Sequence, residues 1–412
     1  MTDRVVITGM GTVNSLGLTV AESWEKVTKG CSGVGPISLF NTDGWQVSVA
    51  CEVKNFSPEN YMPVKETRRS DRYEQLALAA AKEALDQAGL LEADIIRGRV
   101  GVFVSSSIGG LRTAQETITT LNNQGPRRIS PFVIPMWMPN GAAGYIAITH
   151  DFRGPCFSVA SACASGLDGI GVAWMMIKTG VVDVAITGGS DAIISEAGVA
   201  AFDRVGAMSH QNSLKIPKPF DKNRDGLVMG EGAGVLVLER ESHAHGRGAT
   251  ILAELAGYAA TADAYHITAP LEDGSQGAKA MLLALDIAGV KAEEVGYISA
   301  HGTATALNDL SETRAVKFAL GDLAYHIPIS STKSMTGHMM GATGAVETIF
   351  CVMAIKEGII PPTINYETPD QECDLDYVQN TARRKNIRVA MNNAFGFGGH
   401  NSVLVIKEFV DF

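Results

Sequence analysis

Cys163 stands in the run Ser161-Ala162-Cys163-Ala164-Ser165-Gly166, between an apolar approach and a helix-like stretch, Leu167–Lys178. A cysteine at a helix start has its thiolate stabilised by free backbone N–H groups and by the helix dipole. Small neighbours let a substrate come close. Those are the requirements of a covalent acyl-transfer nucleophile. A lone cysteine is otherwise a small buried hydrophobe, and Cys156, Cys351 and Cys373, which lack this setting, are read that way. Only the residues that follow separate Cys163 from them.

Two histidines lie in unusual company. His301 opens Ala300-His301-Gly302-Thr303-Ala304-Thr305, directly after a strand-like segment. A histidine at a strand end, bracketed by Gly and Thr, can face a site or fill a core. His338 closes Ser331-Thr332-Lys333-Ser334-Met335-Thr336-Gly337-His338, a polar loop before a helix. Lys333 and Glu347 can pair near it, although a lysine taken alone is more often a surface charge. One cysteine and two histidines also suggest zinc, but no CxxC, HxxxH or HExxH spacing is present, so no metal is expected. Asn392-Asn393-Ala394-Phe395-Gly396-Phe397-Gly398-Gly399-His400-Asn401 is the last such segment. Its glycines can aim N–H groups at a developing oxyanion, or can simply turn the chain between two strands.

The elements that must carry these residues alternate. Val5–Thr8, Val100–Val104, Val182–Thr187, Ala233–Leu238, Ile251–Tyr258, Val295–Ser299, Ile387–Met391 and Val403–Ile406 read as strands. Helical patterns cover Ala21–Lys29, Tyr73–Ala88 (stopped by Gly89), Arg112–Asn122, Gly277–Ala288 (stopped by Gly289) and Gly341–Lys356 (stopped by Gly358). Strands apolar on both faces imply a sheet covered by helices on each side, hence an α/β fold. Gly9-Met10-Gly11 is read as a structural turn. It weakly suggests a dinucleotide site, but Asn14 stands where a third glycine is needed.

The 412 residues exceed the roughly 250–300 at which one core stops growing, so two lobes or a duplicated fold are expected. The short polar stretch His243–Gly248 puts a boundary near residue 245, giving halves 1–245 and 246–412. Hydrophobic residues make up 46% and charged residues 19%, which fits a large core and leaves room for a buried subunit interface. A net charge of −10 disfavours nucleic acid, and an anionic partner would need a local basic patch. No apolar run reaches the ~18–20 residues of a membrane span. Six scattered cysteines and no signal pattern point to reduced thiols in the cytoplasm.

Together, Ser161–Gly166, Pro219-Phe220-Asp221-Lys222-Asn223-Arg224-Asp225-Gly226, Gly230-Glu231-Gly232, His301–Thr305, Lys333–His338 and Phe395–Gly399 carry a specific resemblance. From Val5 to about Ile406 the chain resembles the β-ketoacyl-[acyl-carrier-protein] synthases of type II fatty-acid synthesis, most closely the synthase II class. The resemblance implies the thiolase fold: two βαβαβαββ halves in five αβαβα layers, usually as a homodimer. It implies Cys163 as nucleophile and His301 and His338 as the pair driving malonyl decarboxylation. Lys333 and Glu347 would support them electrostatically. Phe397 would gate the cysteine, and the N–H groups of Cys163 and Phe397 would form the oxyanion hole. Thr303 and Thr305 would hydrogen-bond the 4'-phosphopantetheine arm, which arrives on acyl carrier protein, so no cofactor is bound by the enzyme itself. Ile108 and Phe202 match acyl-pocket positions; synthase I tends to have Gly at the first.

Carrier proteins of such systems are acidic. Lys65, Arg68, Arg69 and Arg72 cluster, and Arg127-Arg128 is a second basic pair; such charges are a solvated face or a docking patch. Lys65, Arg68, Arg69, Arg127 and Arg128 match the family's carrier contacts. Three positions depart from its pattern. Ser107 stands where Gly is common and would narrow the pocket, Gly206 stands where Arg is frequent, and His400 replaces a frequent Thr. The implied reaction is decarboxylative condensation that lengthens an acyl chain by two carbons. A degradative thiolase would carry a second cysteine near Phe397 and His400. A chalcone-synthase-like enzyme would have Asn in place of His338. A chain-length partner subunit would lack Cys163. Polyketide ketosynthases and synthase I-like enzymes share the Cys-His-His set and stay open.

Overall fold

The first strand runs straight through the glycines expected to turn it. In the computed structural model, which describes residues 3–411, β1 spans Val5–Asn14, with a register shift between Ile7 and Gly9. Helix α1, Arg72–Ala88, lies against it. A Cβ on Gly9 would sit 2.1 Å from the Ala84 carbonyl oxygen, and one on Gly11 2.0 Å from that of Ala80. These glycines therefore let an alanine-rich helix touch the strand backbone, and they form no turn, contrary to expectation. Asp71 and Glu74 form a capping box at the start of α1, and Gly89, at φ +59°, ends it.

Eight further strands complete one hydrogen-bonded sheet: β2 Val100–Ser105, β3 Val184–Asp191, β4 Gly232–Arg240, β5 Ala253–Ala262, β6 Tyr297–Ser299, β7 Ile329–Ser330, β8 Val389–Gly396 and β9 His400–Lys407. Their order is β2-β3-β4-β1-β5-β9-β8-β6-β7. The pairing pattern repeats. β2 is parallel to β3, β3 antiparallel to β4 and β4 antiparallel to β1; likewise β6 is parallel to β8, β8 antiparallel to β9 and β9 antiparallel to β5. β7 runs parallel beside β6, and Cys156, exposed rather than buried as expected because it lies at the sheet edge, makes the matching parallel bridge to Val102 on β2. Each half is thus a βαβαβαββ unit. They meet at a short seam where Val6 and Ile7 pair with Glu254 and Ala253.

The remaining principal helices are α2 Ser165–Lys178, α3 Ser275–Ala288, α4 Ala306–Leu320 and α5 Thr343–Glu357. α2 and α5 pack on each other, and each touches strands of both halves. They form the middle layer of αβαβα, with α1 covering one outer face and α3 with α4 the other. Every residue of α5 from Thr343 to Ile355 is buried, which accounts for its nearly unbroken apolar sequence. Gly166, Gly189 and Gly341 meet where α2 and α5 begin; a Cβ on Gly166 would lie 2.3 Å from the Gly341 carbonyl oxygen. Among the described residues no helix is long and apolar enough to cross a membrane.

Candidate active site

Four loops converge beyond the strand ends, and each carries one of the residues singled out by chemistry. Cys163 lies in a 3₁₀ turn, Ala162–Ala164, that leads into α2. Ala162 is held at φ +51°. The turn is pinned on both sides. Ser161 N–H donates to Ser165 Oγ at 2.9 Å. The Ser161 hydroxyl donates to Asp168, whose other oxygen accepts Tyr258 O–H at 2.9 Å. Tyr258 lies on β5, so this clamp ties the cysteine turn to the second half. Gly396 packs against the turn as well; a Cβ there would be 2.8 Å from the Ser161 carbonyl oxygen.

His301 follows β6, and its N–H and that of Gly302 donate to the Glu312 carboxylate at 2.8 and 2.7 Å. Asn393 Nδ2 adds a third donor at 3.2 Å. Burial raises Glu312 to about 7 in spite of these donors. His338 is anchored through its backbone, which pairs with Met229 in a parallel bridge. Its Nδ1 lies 3.1 Å from Thr343 Oγ1, a hydroxyl able to donate or accept. One donor atom each from Cys163, His301 and His338 lies within 4.8 Å of the others. The two imidazoles are 5.3 Å apart at an interplanar angle of 85°.

Burial sets the protonation states. Both histidines are pushed well below the usual imidazole range, by desolvation first and by the Lys333 ammonium second. They are neutral at physiological pH. Lys333 Nζ donates to Glu347 Oε1 at 2.8 Å, with both side chains 1% exposed. Burial raises the Glu347 carboxyl, and Lys333 opposes the rise. The Cys163 thiol is raised to about 11 by burial, although the Phe397 N–H, Lys333 and its own N–H pull it down. The stabilised thiolate expected from a helix start is therefore not what the site holds at rest: the turn precedes α2 and desolvation wins. The site holds a thiol, two neutral imidazoles and two backbone donors, one from each half. Such a set can accept an acyl group on sulfur and hydrogen-bond a developing oxyanion.

A cavity of about 300 Å³ opens on this cluster. Cys163, His301, His338, Thr303, Thr305, Phe202 and Phe397 all line it. Thr303 and Thr305 hydroxyls are 2.9 Å apart, and Thr305 also caps α4. Phe202 and Phe397 stack with ring centroids 6.3 Å apart. Ile108 is not on the cavity wall but packs in the same apolar cluster as Cys163, Phe202 and Phe397. Ser107 does not line the cavity. Its hydroxyl donates to Asp191 at 2.7 Å, and the same carboxylate takes Ser106 Oγ at 2.5 Å and the Gly341 N–H at 2.7 Å. Gly206, at φ +75°, ends the helix Glu196–Val205 in a conformation that suits glycine, at the cavity lining.

The basic residues divide. Lys65, Arg68 and Arg69 line one surface groove with Phe132, whose ring lies 4.3 Å beneath the Arg69 guanidinium. Arg127 and Arg128 are exposed in the turn just before Ser130, which lines the same groove. Arg72 points inward instead and pairs with buried Glu231 at 2.7 Å. No local sequence signal marks Glu312, Asp191 and Asp168 as part of the site. Carboxylates within helical and strand patterns look like surface charges, and only their tertiary burial marks them.

Two family models match the chain: the beta-ketoacyl synthase N-terminal domain over residues 2–244 and the C-terminal domain over residues 252–367. The chain is 46% identical over 407 residues to 3-oxoacyl-[acyl-carrier-protein] synthase 2 of Staphylococcus aureus, covering 98% of each. It is 44% identical over 408 residues to the enzyme of the same name from Synechocystis sp., again covering 98% of each. Among solved structures, the ishigamide ketosynthase/chain length factor superposes with a TM-score of 0.93 at 37% identity, over 100% of both chains. A type II polyketide acyl-carrier protein in complex with its ketosynthase bound to the hexaketide superposes at 0.92 and 35% identity, also over 100% of both.

Proposed function

The chain belongs to the beta-ketoacyl synthase family, and from that premise we propose that it is a 3-oxoacyl-[acyl-carrier-protein] synthase of the second class, condensing acyl- and malonyl-carrier in fatty-acid elongation. The observation that carries the reading is the convergence of Cys163, His301 and His338 within 4.8 Å in an open cavity. The Cys163 sulfur attacks the acyl thioester, and its proton leaves with the departing pantetheine thiol. The N–H groups of Cys163 and Phe397 hold the tetrahedral oxyanion. Malonyl-carrier then enters and loses CO₂. The charge that develops on its thioester oxygen is met by neutral His301 and His338, each donating a hydrogen bond. For His338 this requires Thr343 to donate to Nδ1, which leaves the proton on Nε2. Burial first and the Lys333 ammonium second disfavour imidazolium, so both rings stay in the neutral form. The new carbanion attacks the acyl carbonyl, and Cys163 is released.

Thr303 and Thr305 bind the pantetheine arm on its way to sulfur. Phe202, on the cavity wall, and Ile108, in the same apolar cluster, bound the acyl chain once Phe397 opens as the gate. No cofactor resides in the enzyme; the 4'-phosphopantetheine belongs to acyl carrier protein. The carrier docks on the groove lined by Lys65, Arg68 and Arg69, and on Arg127 and Arg128 in the turn that leads to it, a basic patch on a chain of net charge −10. Residues 1–245 form the nucleophile-bearing half and residues 246–412 the half bearing both histidines. Two copies pair through the exposed apolar surface of Ile134, Trp137, Ile148 and Phe157, beside the unpaired edge at Cys156. Six free cysteines support a cytoplasmic location. A second reading, a polyketide-type ketosynthase, is favoured by the likeness to the ishigamide protein.

Incubation with acyl-carriers from short to long, followed by peptide mass spectrometry, tests the core of this. Acyl label is expected on the Cys163 peptide. Its absence there at every chain length rejects the mechanism, and the length profile separates the two readings. Charge reversal at Arg68 or Arg127 is expected to raise the apparent KM for acyl-carrier; unchanged kinetics at low salt reject the docking groove.

A further inference from the structure

Cys163, His301 and His338 lie far apart in sequence, so no metal-ligand spacing announces them, yet the fold gathers them as one sulfur and two imidazoles. We propose that this cluster is also an inhibitory binding site for a borderline-soft divalent cation of the zinc class. The three donor atoms already lie within 4.8 Å of one another. Tetrahedral zinc, with bonds of 2.0–2.3 Å, needs donors about 3.4–3.6 Å apart, so no pair has to close by more than about 1.4 Å. His301 Nδ1 and His338 Nε2 are buried and have no hydrogen-bond partner. When Thr343 accepts from His338 Nδ1–H, Nε2 presents a lone pair, the arrangement in which an outer hydrogen bond fixes a metal-ligating histidine. The cavity leaves a fourth position for water. With sulfur and nitrogen donors and no carboxylate in the set, magnesium and calcium are disfavoured.

Binding replaces the thiol proton by the metal: the proton goes to solvent, a sulfur–metal bond forms, and nothing is oxidised. Lys333 opposes the added charge, but its pairing with Glu347 offsets much of that. The metal and an acyl group compete for the same sulfur, so occupancy blocks acyl loading. That inhibitory part rests on Cys163 being the nucleophile, whereas metal binding does not.

Cobalt(II) titration of the full chain tests binding apart from activity. One equivalent is expected to give tetrahedral visible bands with a thiolate charge-transfer band. Cys163→Ser or prior alkylation is expected to abolish the charge-transfer band, and Cys156→Ser to leave it unchanged. Thr343→Val is expected to weaken binding by about 10-fold. Zinc is expected to stop acyl loading reversibly, with a chelator restoring it. A band that persists in Cys163→Ser, or disappears with Cys156→Ser, overturns the site; so does the lack of any thiolate band in a folded chain. Metal bound at Cys163 without loss of acyl loading overturns the inhibition alone.

Discussion

At the scale of the residue, the protonation of Cys163 decides how the enzyme starts. A cysteine–imidazolium ion pair would make the sulfur reactive across the whole neutral range. Here burial raises the thiol to about 11 and pushes both imidazoles down, so the neutral pair is the resting state. Thiolate is then scarce, and its fraction grows tenfold per pH unit anywhere below 11. Alkylation of Cys163 by iodoacetamide is accordingly expected to speed up about tenfold per unit between pH 7 and pH 9. Peptide mass spectrometry follows it residue by residue, and a rate flat from pH 6 upward would mean an ion pair. The same balance gives the histidines their use, because a neutral ring holding an N–H can donate to an oxyanion without first gaining a proton.

At the scale of the element, close approach of backbone does the positioning. The starts of α2 and α5 touch through Gly166 and Gly341, beside Gly189 of β3, and this contact brings the cysteine turn near the His338 loop. Alanine at 166 would gain about 1 kcal/mol in helix propensity but must displace a carbonyl oxygen 2.3 Å away. Overpacking of that kind costs about 1–3 kcal/mol or more, so the clash wins. Gly166→Ala is expected to lower the melting temperature and to slow acyl loading and malonyl decarboxylation together, as read in separate half-reaction assays. Loops of this kind were readable from sequence, because Gly and Thr beside Cys163, His301 and His338 stand out against apolar strands. What they lean on was not. Asn392 and Asn393 have poor strand propensity, so β8 was expected to stop at Met391. It runs on to Gly396 because Asn392 bonds the Gly344 carbonyl oxygen and Thr348 of α5, and Asn393 bonds Glu312. Those partners are 44 or more residues away in sequence, beyond any local pattern. β1 misled for the same reason: the helix that needs Gly9 and Gly11 lies some seventy residues on.

At the scale of the whole molecule, a buried carboxylate holds the passage between the halves. Burial pushes Glu239, at the end of β4, upward, but it accepts from Arg247, His243 and Thr8, and these partners outweigh burial and draw it down to about 2 against an ordinary 4.5. A carboxyl depressed by folding stabilises the protein above its unfolded value, and the contribution is lost as pH falls through the folded value. Chemical denaturation is therefore expected to show stability falling between about pH 4.5 and pH 2, by an amount on the order of 3 kcal/mol for this group. In Glu239→Gln the loss over that interval is expected to be smaller by that amount; an unchanged acid dependence would remove Glu239 from the account. The sheet order has one more consequence, in time rather than in space. β8 and β9 are late in the chain yet sit inside the sheet, and the Phe397 N–H that helps hold the oxyanion lies between them. As a ribosome releases the chain, Cys163 emerges long before either histidine or that N–H. A nascent or stalled chain thus carries the thiol without the groups that put it to work, and acyl transfer waits for the last two strands to be threaded home.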